Sequence, residues 1–454
     1  MQFELTKEYL DDLSDAIAEG RDSFLESELE ELHPADIAEI FDKLKAPELN
    51  YLFKLLESEK AADVMIELDE DDREKLLSTL TSKEIAHRVI DNIDSDDAAD
   101  VLAELTDEKQ AEVISHITDD EQRSDISDLL RYDEDSAGGI MAKELVKVRQ
   151  SWTIARSIRE MRKQAEDIDD VYTIYVTDDE DKLVGTLSLK DLLFSSSSIK
   201  ATIADIYSEQ PLNYVYPDTS GEDCSNTMEK YDLVVLPVVD HDMTLLGRIT
   251  IDDVVDLIKE EAERDYQLAS GISESVESDD TVWLLTRARL PWLLIGLLGG
   301  VLVAQVIGVF EKTLAEVVEL MVFVPLIAAM GGNVGVQSSA IVVQGLANKT
   351  IGTGSILQKL TKELMVALVN GLICGLVILA YSILFMDSLA LSYTVGIALF
   401  SVVIIAALFG TLVPLVLDKV KIDPALATGP FITTMNDIIG LSVYFIYAKF
   451  FFGL

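Results

Sequence analysis

Five long uncharged stretches toward the carboxyl end constrain this chain more than any other feature. They cover residues 290–310, 320–348, 364–386, 388–417 and 424–436, and the last continues past a single Asp to Ala448. A helix needs about 20 apolar residues to cross the hydrocarbon core of a bilayer, and each stretch qualifies once Asp437 is allowed inside the fifth. A buried soluble helix would account for one such run. Five in succession, joined by short polar loops, predict a five-helix transmembrane domain.

The charges divide along the same line. From Thr286 onward nine Lys/Arg stand against eight Asp/Glu, so this part carries about +1. The whole chain carries −45, which leaves the first 285 residues with about −46. So acidic a surface repels nucleic acid and attracts cations. Arg287, Arg289, Lys349, Lys359, Lys362, Lys419 and Lys421 fall on one side of the membrane, and only Lys312 and Lys449 on the other. An excess of basic residues marks the inner side, so the amino-terminal part is expected in the cytosol and the carboxyl end outside the cell membrane. The amino end is acidic and has no apolar signal segment. Cys224 is cytosolic and Cys374 lies in the third span, so no disulfide is expected. His33, His87, His116 and His241 have no metal-ligand spacing.

Residues 1–131 read as an all-α acidic domain with short apolar stripes at helical spacing. Ala61-Ala62-Asp63-Val64-Met65-Ile66-Glu67-Leu68 returns 37 residues later as Ala98-Ala99-Asp100-Val101-Leu102-Ala103-Glu104-Leu105. That period predicts stacked helix pairs in a small superhelix. From about Ser136 the pattern becomes α/β. Val171–Val176, Val184–Ser188, Val234–Val239 and Leu246–Thr250 read as strands, and the Gly185–Asp191 segment matches Gly247–Asp253 at an offset of 62. A strand, a Ser/Thr and an Asp opening a helix, present twice, resembles a tandem pair of CBS domains, placed at 132–200 and 201–257. Residues 258–283 read as an acidic connecting helix and linker, with the helix expected from Asp256 to Gln267 and Trp283 at the membrane interface. The transmembrane domain then occupies 284–454.

Asp437 is the one ionisable residue well inside a span, where a carboxylate costs a few kcal/mol on insertion scales. Such residues face a water-filled path or a partner. Thr433, Thr434 and Gly440 lie on or near its face, with Asn436 beside it. Pro424 and Pro430 are expected to interrupt the start of the same span. In the second span, Pro325 and the run Gly331-Gly332-Asn333-Val334-Gly335-Val336-Gln337 are expected to break the helix where it lines a cavity, with Asn333 and Gln337 on the path. The competing reading is close packing through small residues, as expected of Gly371 and Gly375 in the third span. Mg2+ prefers one or two carboxylates and keeps much of its water. One Asp per chain on the axis of a two-fold dimer would supply two.

The arrangement as a whole resembles the MgtE-type magnesium channels and transporters. The most specific segments are Pro325 with Gly331–Gln337, and Asp423-Pro424-Ala425-Leu426 leading to Asn436-Asp437-Ile438-Ile439-Gly440. The resemblance implies a non-enzymatic Mg2+ channel or transporter, built as a homodimer with its pore on the dimer axis. It makes Asp437 the pore carboxylate, with the backbone carbonyl of Thr433 facing the ion and Gly331 and Asn333 beside it. It further implies that cytosolic Mg2+ closes the pore by bridging acidic surfaces. The matching acids are Asp232, Asp253, Asp256, Glu261 and Asp265, with Asp96 and Asp100 on the helical domain. Arg264 stands where another acid is expected. ATP is implied as a regulatory ligand of the CBS pair, through Ser188 and Asp191. Three rivals remain at this point: a proton- or sodium-coupled carrier using Asp437, an intramembrane aspartyl protease, which needs two apposed carboxylates, and a membrane-tethered nucleotide sensor.

Overall fold

The structure is a computed structural model that describes residues 3–165, 168, 171–194, 201–208, 212–273, 276, 280–347, 356–427 and 429–453. It divides into two compact units, Met1–Ile258 and Lys259–Leu454.

The first unit begins with ten α-helices among the described residues, from Lys7–Glu19 to Asp120–Leu129. The 37-residue period is physical here. Helices Ser58–Glu67 and Ser95–Ala103 start 37 residues apart, and so do their successors Glu70–Thr79 and Asp107–His116. Ala61, Ala62, Val64 and Met65 are buried in the first copy, and Ala98, Ala99, Val101 and Leu102 in the second. Each helix is too short to hold its shape alone, so the stack is stabilised by this shared apolar face.

The α/β part holds β1 (Lys147–Arg149), β2 (Ile174–Thr177), β3 (Leu183–Leu187), β4 (Val235–Val239) and β5 (Leu245–Thr250). β1 runs parallel to β2, and β2 antiparallel to β3; β4 and β5 form an antiparallel pair. The 62-residue offset reappears in the register: Val176 faces Gly185, and Val238 faces Gly247. Both pairs bulge immediately after that valine. In both turns an Asp amide donates to the carbonyl four residues on, Asp178 to Lys182 at 2.9 Å and Asp240 to Thr244 at 3.0 Å. β1 lies outside the strands expected from the sequence, and β2 is shorter than its β-branched run suggests, starting at Ile174 rather than Val171. The connecting helix is longer: it leaves β5 directly and runs Ile251–Ala269.

The second unit contains five helices long and apolar enough to cross a membrane: Val282–Val309, Leu320–Ala347, Ile356–Phe385, Leu389–Lys419 and Pro430–Phe452. Two expectations are corrected here. The second span is one continuous helix of 28 residues in spite of Pro325 and the paired glycines. Its glycines are seats for neighbouring helices. A Cβ on Gly332 would lie 2.8 Å from Thr433 Cγ2, and one on Gly335 would lie 2.7 Å from Ile432 Cγ2. Close approach of this kind is what small residues supply in a bilayer, where lipid offers no hydrophobic drive for helices to associate. Gly371 and Gly375 seat the fourth span in the same way, against Phe400 and Gly396 carbonyls at 3.1 Å. The fifth span is likewise uninterrupted. Pro424 opens a short 3-10 turn, Pro424–Ala427, and Pro430 is the first residue of the helix, where its missing N–H costs nothing.

Candidate cation sites

Among the described residues, two groups of first-unit acids come close enough to share an ion: Asp42, Asp69 and Asp72, and a second, more buried group. Carboxylate oxygens of Asp94, Asp96 and Glu144 lie within 4.8 Å of one another. Asp94 caps helix Ser95–Ala103 and Asp96 sits in its first turn, while Glu144 comes from the segment before β1. Glu144 is oriented by Ser95, whose amide and hydroxyl donate to it at 3.2 and 2.8 Å. Asp96 is only 8% exposed. Burial, and then Asp97, Asp253, Asp94 and Glu144, push its carboxyl well above the ordinary range. Asp97 is raised to about 7 by burial first, then by Asp253, Asp100 and Asp94, against a lowering by Arg73. Asp253, at the start of the connecting helix, is raised to about 6 chiefly by burial. Its Oδ2 accepts from the Thr250 amide at 3.3 Å and from the Thr250 hydroxyl. An Arg248 nitrogen lies 3.9 Å from Asp94, and Arg73 is engaged with Glu104 at 2.7 Å. Carboxylates held this close form a hard-oxygen site that suits a divalent ion.

This geometry separates the candidate regulatory residues. Asp96 and Asp253 belong to the cluster. Asp100, one turn beyond Asp96, is exposed and lines a groove of about 200 Å³ with Gln110, Tyr132 and Glu134. Asp232 is exposed at the left-handed C-cap of helix Gly221–Tyr231, with φ 50° and ψ 47°. Asp256 is exposed on the connecting helix, while Glu261 and Asp265 are half-buried and share a face one turn apart. Asp94, Asp97 and Glu144 were not singled out from the sequence. A doubled Asp next to an Asp N-cap was visible, but nothing local ties Glu144 to it from 48 residues away.

Ser188 and Asp191, expected to touch a nucleotide, bond to each other. The Ser188 hydroxyl donates to Asp191 Oδ2 at 2.7 Å and accepts from the Asp191 amide at 3.0 Å. Thr250 and Asp253 pair 62 residues later, the Thr250 hydroxyl again donating to the Asp but the second bond running from the Thr250 amide to the same Asp253 Oδ2. The doubled motif is thus first a doubled helix cap.

In the second unit, the neighbours of Asp437 are consumed by packing. Thr434 presses on Gly299 of the first span, Thr433 on Gly332 and Asn436 on Gly335 of the second, and Gly440 on Val402 of the fourth. Asp437, like Thr433 and Thr434, stays half-exposed, while Asn436 and Gly440 are buried. It lies seven residues into the helix from Pro430, about 11 Å along its axis. Thr433 donates its hydroxyl to the Gly429 carbonyl at 2.6 Å. Asn333 and Gln337 are exposed one turn apart on the second span. Gly331 is buried, its face against Val402 and the Asn436 carbonyl.

Comparison with known proteins agrees with both units. A family described as a divalent cation transporter, MgtE, matches residues 324–447; the MgtE intracellular N domain matches 32–135, and CBS domains match 137–198 and 203–260. The chain is 30% identical over 432 residues to a magnesium transporter MgtE of Bacillus subtilis, covering 94% of each. It is 32% identical over 441 residues to the MgtE of Thermus thermophilus, covering 96% of this chain and 97% of that one. Among solved structures, the cytosolic domain of an Mg2+ channel MgtE in complex with ATP aligns with a TM-score of 0.51 at 34% identity, over 55% of this chain and 99% of that one. The soluble part of a magnesium transporter aligns with a TM-score of 0.50 at 28% identity, over 56% and 99%.

Proposed function

This chain belongs to the MgtE family of magnesium transporters, and from that premise we propose that it conducts Mg2+ through a pore made by two copies, closed when cytosolic Mg2+ is abundant. The relatives it matches along its length are magnesium transporters, so the protease reading is set aside.

One observation carries the pore reading. Thr433, Thr434, Asn436 and Gly440 on its helix pack against other spans of the same chain, while the Asp437 carboxylate stays half-exposed seven residues into the span. Facing lipid would be costly, so water and a second carboxylate on a two-fold axis are its proper surroundings. Two Asp437 side chains balance one Mg2+ and leave it hydrated, with the Thr433 carbonyl and Asn333 contacting its water shell. The excess of basic residues on one side supports a cytosolic amino end and an external carboxyl end.

The regulatory reading is supported by the cluster at Asp94, Asp96 and Glu144, joined electrostatically by Asp97 and Asp253. An ion there would tie the helical domain to the segment before β1 and to the start of the connecting helix. Asp232, Asp256, Glu261, Asp265 and Asp100 extend the acidic surface that Mg2+ would bridge as its concentration rises. ATP is proposed as a further ligand of the CBS pair, near Ser188 and Asp191, since a relative's cytosolic domain holds it.

The test is Mg2+ flux into liposomes bearing the full chain. Asp437→Ala should abolish flux while the dimer survives; wild-type flux from that variant would overturn the pore assignment. Flux that requires a proton or sodium gradient would favour a coupled carrier instead.

A further inference from the structure

A carboxamide buried in a dry interior costs free energy unless both ends are bonded. Asn436 is 2% exposed, and neither its Oδ1 nor its Nδ2 has a hydrogen-bond partner among the described residues. The void beside it, bounded by Val402, Ile405, Ala406, Ile439 and Gly440, has no room for a water molecule. Water therefore does not relieve the amide here.

Three further buried hydroxyls are unpaired in the same bundle, Ser339 Oγ and Ser382 Oγ at 0% exposure and Thr411 Oγ1 at 2%. Ser339 and Thr411 fall on the seam that Asn436 occupies. The amide lies against Gly335, where a Cβ would come within 1.9 Å of Nδ2. Gly410 lies against the same residue, its own Cβ position 2.4 Å from the Gly335 carbonyl oxygen. Ser339 is one turn beyond Gly335 on the second span, about 6 Å along the axis, and Thr411 follows Gly410 on the fourth. Pro414 cannot donate to the Gly410 carbonyl, which adds an acceptor to this stretch. The unpaired amide and its missing partners are thus displaced from each other along one seam.

We propose that the fifth span has a second register, reached by a slide of up to one helical turn toward its Pro430 end, in which Asn436 bonds the Ser339 and Thr411 hydroxyls. The proposal rests on the pore reading above: Asn436 becomes a positioning residue whose movement carries the adjacent Asp437 along the conduction path. The second and fifth spans pair antiparallel, Gly332 with Thr433 and Gly335 with Ile432, so such a slide brings Asn436 toward Ser339. The groove is lined by Gly331, Gly332 and Gly335, which present no side chains to lock one register. At the head of the helix Gly429 sits at φ 54° and ψ −125°, a conformation essentially closed to other residues. A joint of that kind absorbs a change of register in one residue.

The experiment measures Mg2+ flux and thermal stability of the full-length protein in three variants. Asn436→Leu keeps the volume and removes the unpaired amide, so its melting temperature should hold or rise while flux falls roughly thirtyfold, the worth of two hydrogen bonds. Ser339→Ala with Thr411→Val removes hydroxyls that bond nothing in the observed register, so stability should hold while flux falls to a similar level. The triple variant should be no worse than either, because one interaction is being removed twice. Wild-type flux from the Ser339→Ala/Thr411→Val pair overturns the second register, and that pair decides the matter if Asn436→Leu fails to assemble. Asp437→Ala is run alongside: wild-type flux there overturns the pore reading instead, so the two failures are told apart.

Discussion

Replacing Asp97 with Asn should stabilise the first unit when no divalent cation is present. Asp97 has its carboxyl raised from 3.8 to about 7, first by burial and then by Asp253, Asp100 and Asp94. Ionised at pH 8 it therefore costs about 4 kcal/mol relative to the unfolded chain. Asn keeps the shape and drops the charge, so it should recover roughly 2–4 kcal/mol. For a unit of this size, each kcal/mol moves the melting temperature by about 2–4 °C, which gives a rise of roughly 4–16 °C. The pH dependence has a definite sign. Because the folded value lies above the unfolded one, the cost is fully present above about pH 7, shrinks as the pH falls through 7, and is gone near 4. Asp253, raised to about 6, adds to the same trend a little lower. Wild-type protein in a chelator should therefore melt higher at pH 6 than at pH 8, and Asp97→Asn should lose much of that difference. Millimolar Mg2+ at pH 8 should stabilise the wild type more than the variant, because ion and proton relieve the same repulsion. The assay is thermal unfolding of the full chain in detergent across pH, with chelator or Mg2+. A variant that melts at or below the wild type at pH 8 in chelator would refute the repulsion argument.

Three other outcomes follow from particular contacts. Glu144→Gln removes one carboxylate of the close trio, and the Mg2+ concentration that half-closes flux should rise about tenfold; an unchanged value in liposome flux would detach the trio from gating. Gly335→Ala drives a Cβ to within 1.9 Å of Asn436 Nδ2 and 2.7 Å of Ile432 Cγ2, so it should cost about 1–3 kcal/mol or more and lower the melting temperature. An Ala variant as stable as the wild type would mean the second and fifth spans are not so closely seated. Tyr444→Phe deletes a buried hydroxyl that donates to the Leu320 carbonyl at 2.9 Å, so it should lower stability by about 1 kcal/mol with Mg2+ flux retained; a loss of flux would give that contact a role beyond packing.

How much of this was legible in the sequence depended on whether the information was local. The 37- and 62-residue repeats were visible because each copy of a repeat must solve the same packing problem with the same residues, down to a bulge after Val176 and again after Val238. The five spans were visible because the bilayer requires length and apolarity and little else. What the sequence could not display was the choice between two meanings of a glycine. Gly331, Gly332 and Gly335 read first as a broken helix lining a path, with seats for a neighbour as the competing reading, and only the partner decides. Here the partners are Val402, Thr433 and Asn436, so the helix stays whole. The acidic cluster was hidden for the same reason: Glu144 stands 48 residues from Asp96, and each looks like one more surface acid until the chain folds them together. The same packing sharpened the one site read most directly. Asp437 stands out in the sequence as a charge in the wrong solvent. In the fold it stands out because Thr433, Thr434, Asn436 and Gly440 all pack on neighbours within the chain while its own carboxylate stays half-exposed. A carboxylate that its own protomer leaves half-exposed within a span calls for water or a partner there, which is the physical argument for a second copy and a hydrated ion between them.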